Sequence, residues 1–151
     1  MTVTDKQVAA LHAQLAGRGE EHKRLFDELD ADEVGHGYSA LVAAAVFEAI
    51  ERRFVKNGKV ADDAEVIQFI AELRSKNADV AEKLDPVIAE RLIFHSLGKG
   101  EIDDIDRTVF FGTQILVLAG LIADANLDED ELESFMSTAR EIAEDWTSSD
   151  T

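Results

Sequence analysis

TVFFGTQILVLAGLIA, residues 108–123, decides the fold: it carries no charged residue in a chain that is 31% Asp, Glu, Lys and Arg. Phe110, Phe111, Ile115, Leu116, Leu118, Leu121 and Ile122 point to every side of a helical wheel. A helix that is apolar all round is buried among others or lies in a membrane. The uncharged run falls short of the ~20 residues that span a bilayer. It also contains Thr108, Thr113, Gln114 and two glycines, with no basic loop beside it. We therefore expect no membrane span and read the stretch as a buried central helix around which the others pack.

Working outward, the carboxylates of Glu101, Asp103, Asp104 and Asp106 suit the positive N-terminal end of this helix. Beyond it, Asp128 with Glu131 three residues on starts a last helix, whose stripe is Leu132, Phe135, Met136, Ala139, Ile142, Ala143 and Trp146. Upstream, Asp85-Pro86 opens a helix with Asp as N-cap and Pro at the first position. Asp62 caps a shorter one that places Val66, Phe69, Ile70 and Leu73 on one face. A longer helix runs from about Tyr38 to Lys56 and stops at Asn57-Gly58, since both residues tolerate left-handed dihedrals. Residues 75–84 are polar with room for one helical turn, and 29–37 read as a loop.

The chain opens with a capping box, Thr4 to Gln7. Val8, Leu11, Leu15, Arg18, His22, Leu25 and Leu29 then follow 3,4 spacing, a heptad seam interrupted by two polar members. Gly17 and Gly19 break it into two short helices, an arm laid across the bundle. No stretch alternates as a strand would. The class is all-α, a single-domain bundle of six or seven helices over 1–146, with an arm (1–36), a core (37–146) and a disordered tail (147–151).

Two segments echo each other. Asp62, Glu65, Phe69 and Arg74 match Asp128, Glu131, Phe135 and Arg140 at one offset, which suggests two related helix–loop–helix hairpins, roughly 38–75 and 104–146, around the central helix.

Charge narrows the function classes. The net charge of −17 is uneven: residues 1–50 carry 4 Lys/Arg against 9 Asp/Glu, 51–99 carry 9 of each, and 100–151 carry 2 against 14. Direct nucleic-acid binding requires cations to displace phosphate counterions, so it is not expected. Strong negative charge favours solubility and basic protein partners or divalent cations. There is no cysteine, hence no thiolate nucleophile and no cysteine-ligated metal. The N-terminus lacks the basic start and apolar run of a signal peptide, and a cytoplasmic location is expected.

The most suggestive site is the loop Asp124-Ala125-Asn126-Leu127-Asp128-Glu129-Asp130-Glu131. Oxygen ligands at alternate positions suit a hard cation. An EF-hand needs Gly at the sixth position and Glu at the twelfth; here those are Glu129 and Phe135, so an EF-hand is rejected. A shorter divalent-cation site, for calcium or magnesium, would use Asp124, Asn126, Asp128 and Glu131. The competing reading makes Asp128 and Glu131 a capping box in a solvated loop. Glu33-x-x-His36 has di-iron spacing but lacks the second pair that such a site needs. His12, His22 and His95 have no ligand spacing among them, and Gly98-Lys99-Gly100 lacks the phosphate-loop motif.

Around this loop the chain resembles the tellurite-resistance TerB-like helical domains, whose hairpin loops read Asp-Gly-x-apolar-x-x-x-Glu. Asp124, Leu127 and Glu131 match, with Ala125 in place of glycine; Asn57-Gly58-Lys59-Val60 keeps the glycine and the apolar residue, with Asn for Asp and Glu65 one residue late. The resemblance implies a metal-dependent stress response or scaffolding at the inner membrane face. From the residues themselves we expect no cofactor and an acidic binding or regulatory protein acting through its negative surface, with a metal-responsive domain as the alternative. An enzyme with an acidic pocket ranks last, because no nucleophile, cofactor motif or paired base is visible. Homo-oligomerisation stays open.

Overall fold

The computed structural model describes residues 3–148. The fold is all-α. Among the described residues eight helices have six or more residues: α1 (Asp5–Leu15), α2 (Gly19–Asp27), α4 (Ser39–Phe54), α5 (Asp63–Ser75), α6 (Ala78–Lys83), α7 (Pro86–Ser96), α8 (Arg107–Ala125) and α9 (Glu129–Ser148). A three-residue turn, α3 (Ala31–Glu33), and a π-helical turn (Val34–Tyr38) precede α4. The helices thus outnumber the six or seven expected. The tail read over 147–151 begins inside α9, and residues 149–151 lie outside the described residues.

By its contacts the chain forms two compact units, one of Met1–Glu48 with Ile122–Thr151 and one of Ala49–Leu121. Within the first unit, α1 packs with α9 at the far end of the chain.

In the first unit, Thr4 and Gln7 form the expected reciprocal capping box at the start of α1. The chain does break after Leu15, so 1–36 holds two helices rather than one. The expected loop at 29–37 is instead helical. Asp30 and Glu33 cap each other (Glu33 N to Asp30 Oδ1 2.8 Å, Asp30 N to Glu33 Oε1 3.1 Å). The turn then widens to π geometry where Gly35 and Gly37 fall. Single π turns are rare, and one residue of this turn faces a close neighbour. A Cβ on Gly37 would stand 2.5 Å from the Gln7 amide, which is itself buried and bonded to the Thr4 N–H and the Glu33 carbonyl. Leu11, Tyr38, Leu41, Val42, Phe135 and Met136 are fully or almost fully buried in this unit. Phe47 meets Trp146 edge-on, ring centres 5.8 Å apart.

In the second unit, Asn57-Gly58 does more than stop α4. Val55–Lys56 (β1) and Lys59–Val60 (β2) pair antiparallel, with Val55 opposite Val60. Asn57 and Gly58 lie at φ 53° and 76°. Two positive φ values are what a two-residue type I′ hairpin requires, and Asn-Gly is its strongest sequence signal. Strands of two residues are too short for alternation to reveal, which is why no strand was expected. Asp62 caps α5 and Asp85 caps α7, as read from the sequence. Phe54 and Phe69 meet edge-on, ring centres 5.7 Å apart. The polar stretch at 75–84 gains α6, started by Asn77. Arg74 holds it, its guanidinium donating to the carbonyls of Ala81 (2.8 Å) and Leu84 (3.0 Å).

Helix α8 forms where expected, with Asp106 Oδ1 accepting from the Thr108 and Val109 N–H groups at its start. It is not buried all round. Burial follows one stripe, Thr113, Gln114, Val117, Leu118, Leu121 and Ile122, while Val109 is 46% exposed. Gly112 and Ala119 are also exposed. Uniform apolarity permits burial on every side but does not supply a neighbour on every side. At 19 residues, α8 is by length and composition able to cross a bilayer; core helices pass the same test.

Candidate functional site

The expected site begins where α8 ends. Asn126 takes the left-handed conformation (φ 51°) and its N–H closes the last turn on the carbonyls of Ile122 and Ala123. Asp128 and Glu131 then cap α9 reciprocally: Glu131 N–H donates to Asp128 Oδ1 at 2.8 Å, and Asp128 N–H to Glu131 Oε1 at 2.9 Å. Two of the four residues read as cation ligands are therefore engaged in holding the helix start. Among the described residues no group of three His, Asp or Glu side chains gathers in a way that could hold a metal ion. Asp124, Asn126, Asp128 and Glu131 form a helix junction in this structure. Replacing Asp128 by Ala is expected to cost about 1 kcal/mol, the usual loss for an N-cap; the shift of the urea midpoint at unchanged slope measures it.

The echo between the two hairpins persists at the level of side chains. Asp62 and Asp128 both accept from the N–H of the Glu three residues on. Phe69 and Phe135 are both buried. Arg74 and Arg140 both reach backbone carbonyls, Arg140 donating to Val3 O at 2.8 Å. Each arginine fastens a neighbouring segment of its own unit.

What the structure adds to the acidic sequence is its distribution. The unit of Met1–Glu48 and Ile122–Thr151 holds 5 Lys/Arg against 19 Asp/Glu, and the other holds 10 against 13. Asp124, Asp128, Glu129, Asp130, Glu131 and Glu133 are all exposed, and so are Glu141 and Asp145 further along α9. On the opposite side of the balance, Arg18 lies 3.7 Å from Glu21 and 3.5 Å from Glu129. Arg140 is held by Asp5 at 2.7 Å and Glu144 at 3.1 Å. Its hydrogen bond to the Asp5 carboxylate raises the Arg140 pKa further above its ordinary value, so this cation stays charged and committed. Arg24 pairs with Glu28 on the same helix.

Between α1 and α9 these side chains frame an open groove of about 440 Å³. Val8 and Ala9 of α1 supply its accessible apolar surface, and the almost fully buried Ala13 of α1 and Met136 of α9 also line it. Asp5, Glu21 and Glu133 stand among its polar walls together with the two committed arginines. His12 also lines it, with Nε2 3.2 Å from Glu129 Oε1. His22 plays a structural part: its Nδ1 donates to the Ala10 carbonyl at 2.7 Å. His36 and Glu33, the pair with di-iron spacing, go different ways; His36 lies against Asp32 (3.2 Å) and Glu33 caps α3.

The groove escaped sequence reading because its walls are more than a hundred residues apart. The one available hint was the match between the capped helix starts at Asp62 and Asp128, which concerns the ends of helices and not their faces. Compared with family models, with curated proteins and with solved structures, this chain matches none.

Proposed function

We propose that the protein is an acidic helical binding protein which recognises a cationic protein partner through the unit of α1, α2 and α9. The observation that carries this reading is the 5-to-19 imbalance of that unit, with its carboxylates exposed along α9. Arg18, Arg24 and Arg140 already have carboxylate partners, so they leave the surrounding field negative. A one-signed surface steers oppositely charged partners and speeds their association.

A fluorescent peptide of alternating lysine and serine tests this. Raising salt from about 0.1 M to about 1 M shortens the screening length from ~10 to ~3 Å. Affinity should fall at least about tenfold over that range. Neutralising Asp130, Glu133 and Glu141 (to Asn, Gln and Gln) should weaken binding more than neutralising Asp79, Glu82 and Glu101 in the other unit. Equal losses from the two triple variants, or binding indifferent to salt, would count against the proposal.

A further inference from the structure

We propose that the groove between α1 and α9 is the anchor point for that partner, and that it receives an aliphatic side chain lying between lysine or arginine residues. This deepens the reading of an acidic binding protein and rests on it. Three observations point to such an occupant. First, the groove has an accessible apolar strip on α1, Val8 and Ala9, and is lined further by Ala13 and Met136, which are almost fully buried. About 440 Å³ is room for one or two large side chains rather than for a globular surface. Second, the cations in its walls are spoken for: Arg18 by Glu21 and Glu129, Arg140 by Asp5 and Glu144. An anionic ligand would have to displace those carboxylates within a strongly negative unit. Third, Glu133 has no ion-pair partner among the described residues, and it stands in the wall beside the apolar surface, where an incoming ammonium or guanidinium would meet it. An apolar pocket flanked by unneutralised negative charge selects a segment of opposite pattern, and complementarity of that kind fixes register as well as sign.

The test compares two labelled synthetic peptides of equal charge, one with lysines separated only by serines and one with a single central serine replaced by leucine. The leucine peptide should bind at least tenfold more tightly to the native protein. Substituting Ser137→Trp, an exposed position in the groove wall, should abolish that tenfold advantage while leaving the affinity for the lysine–serine peptide unchanged. A second readout does not depend on that variant folding. The chain has two methionines, Met1 and Met136, so a carbon-13 label on methionine methyls reports the groove directly. The Met136 methyl resonance should shift with the leucine peptide and stay in place with the lysine–serine peptide. Equal affinity of the two peptides, or a Met136 methyl unmoved by saturating leucine peptide, overturns the anchor and leaves the charge-based reading standing. If neither peptide binds at low salt, the charge-based reading falls as well.

Discussion

Gly37→Ala is expected to destabilise the protein by about 3 kcal/mol, combining overpacking with lost buried hydrogen bonds. Gly35→Ala, two residues earlier in the same π turn, should be neutral or stabilising by up to about 1 kcal/mol, because alanine narrows the unfolded ensemble. The two glycines share a turn and differ in what faces them. An added Cβ at 35 meets nothing within 4 Å, whereas at 37 it falls 2.5 to 2.8 Å from three atoms of the Gln7 amide. A side-chain end can often move aside. This one cannot move cheaply: Gln7 is 2% exposed, its Oε1 accepts from Thr4 N at 2.9 Å and its Nε2 donates to Glu33 O at 3.2 Å. Displacing it undoes the α1 capping box and orphans buried polar groups together. Urea unfolding of Gly37→Ala, Gln7→Ala and the double variant gives the coupling. The double variant should be more stable than the sum of the two losses by about 1–2 kcal/mol, as contacting residues are. Additive losses would show that the Gln7 amide is not what excludes a side chain at 37.

The second large effect is alkaline. Tyr38 is 1% exposed, packs edge-on against Phe26 with ring centres 5.4 Å apart, and its hydroxyl has no hydrogen-bond partner among the described residues. Burial raises its pKa from 10.0 to about 12, since the phenolate would lose its hydration without gaining a partner. Below pH 10 the phenol is neutral in both folded and unfolded chains, and its contribution is full and constant. Between pH 10 and 12 the unfolded chain releases the proton while the folded one keeps it. Stability should therefore fall by about 2–3 kcal/mol across that window, at about 1.4 kcal/mol per unit. Tyr38 is the single tyrosine, so absorbance near the phenolate band follows this residue alone, and it should stay protonated at pH 11 while the chain is folded. Tyr38→Phe isolates the tyrosine's share by removing the steep component. A tyrosine that titrates near pH 10 in the folded protein would contradict the burial argument.

The helix starts were legible because their signals are local. Thr4 with Gln7, Asp62, Asp85 with Pro86, and Asp128 with Glu131 each solve the unpaired N–H groups of a helix end using residues two or three positions away. The all-α class followed from those signals and from apolar spacing. Features set by distant partners were not legible. The need for glycine at position 37 comes from Gln7, thirty residues upstream, and the uncovered side of α8 depends on which neighbours are present rather than on its own composition. Asn57-Gly58 carried a hairpin signal that a helix stop accounted for equally well, because both need positive φ.

For the site, the sign and concentration of charge were visible in the sequence and the place was not. The loop Asp124–Glu131 drew attention because capping residues and cation ligands are the same residue types; the structure has Asp128 and Glu131 holding a helix start. The groove between α1 and α9 joins residues near the two ends of the chain, a relation that no local pattern encodes.

Titrating the lysine–serine peptide into nitrogen-15-labelled protein and following every amide resonance tests whether the acidic unit of α1, α2 and α9 is a surface for cationic partners. The shifted amides should cluster in Asp5–Asp27 and Glu129–Ser148, and the shifts should vanish in high salt. Shifts spread evenly over both units, or centred on the hairpin at Val55–Val60, would contradict it.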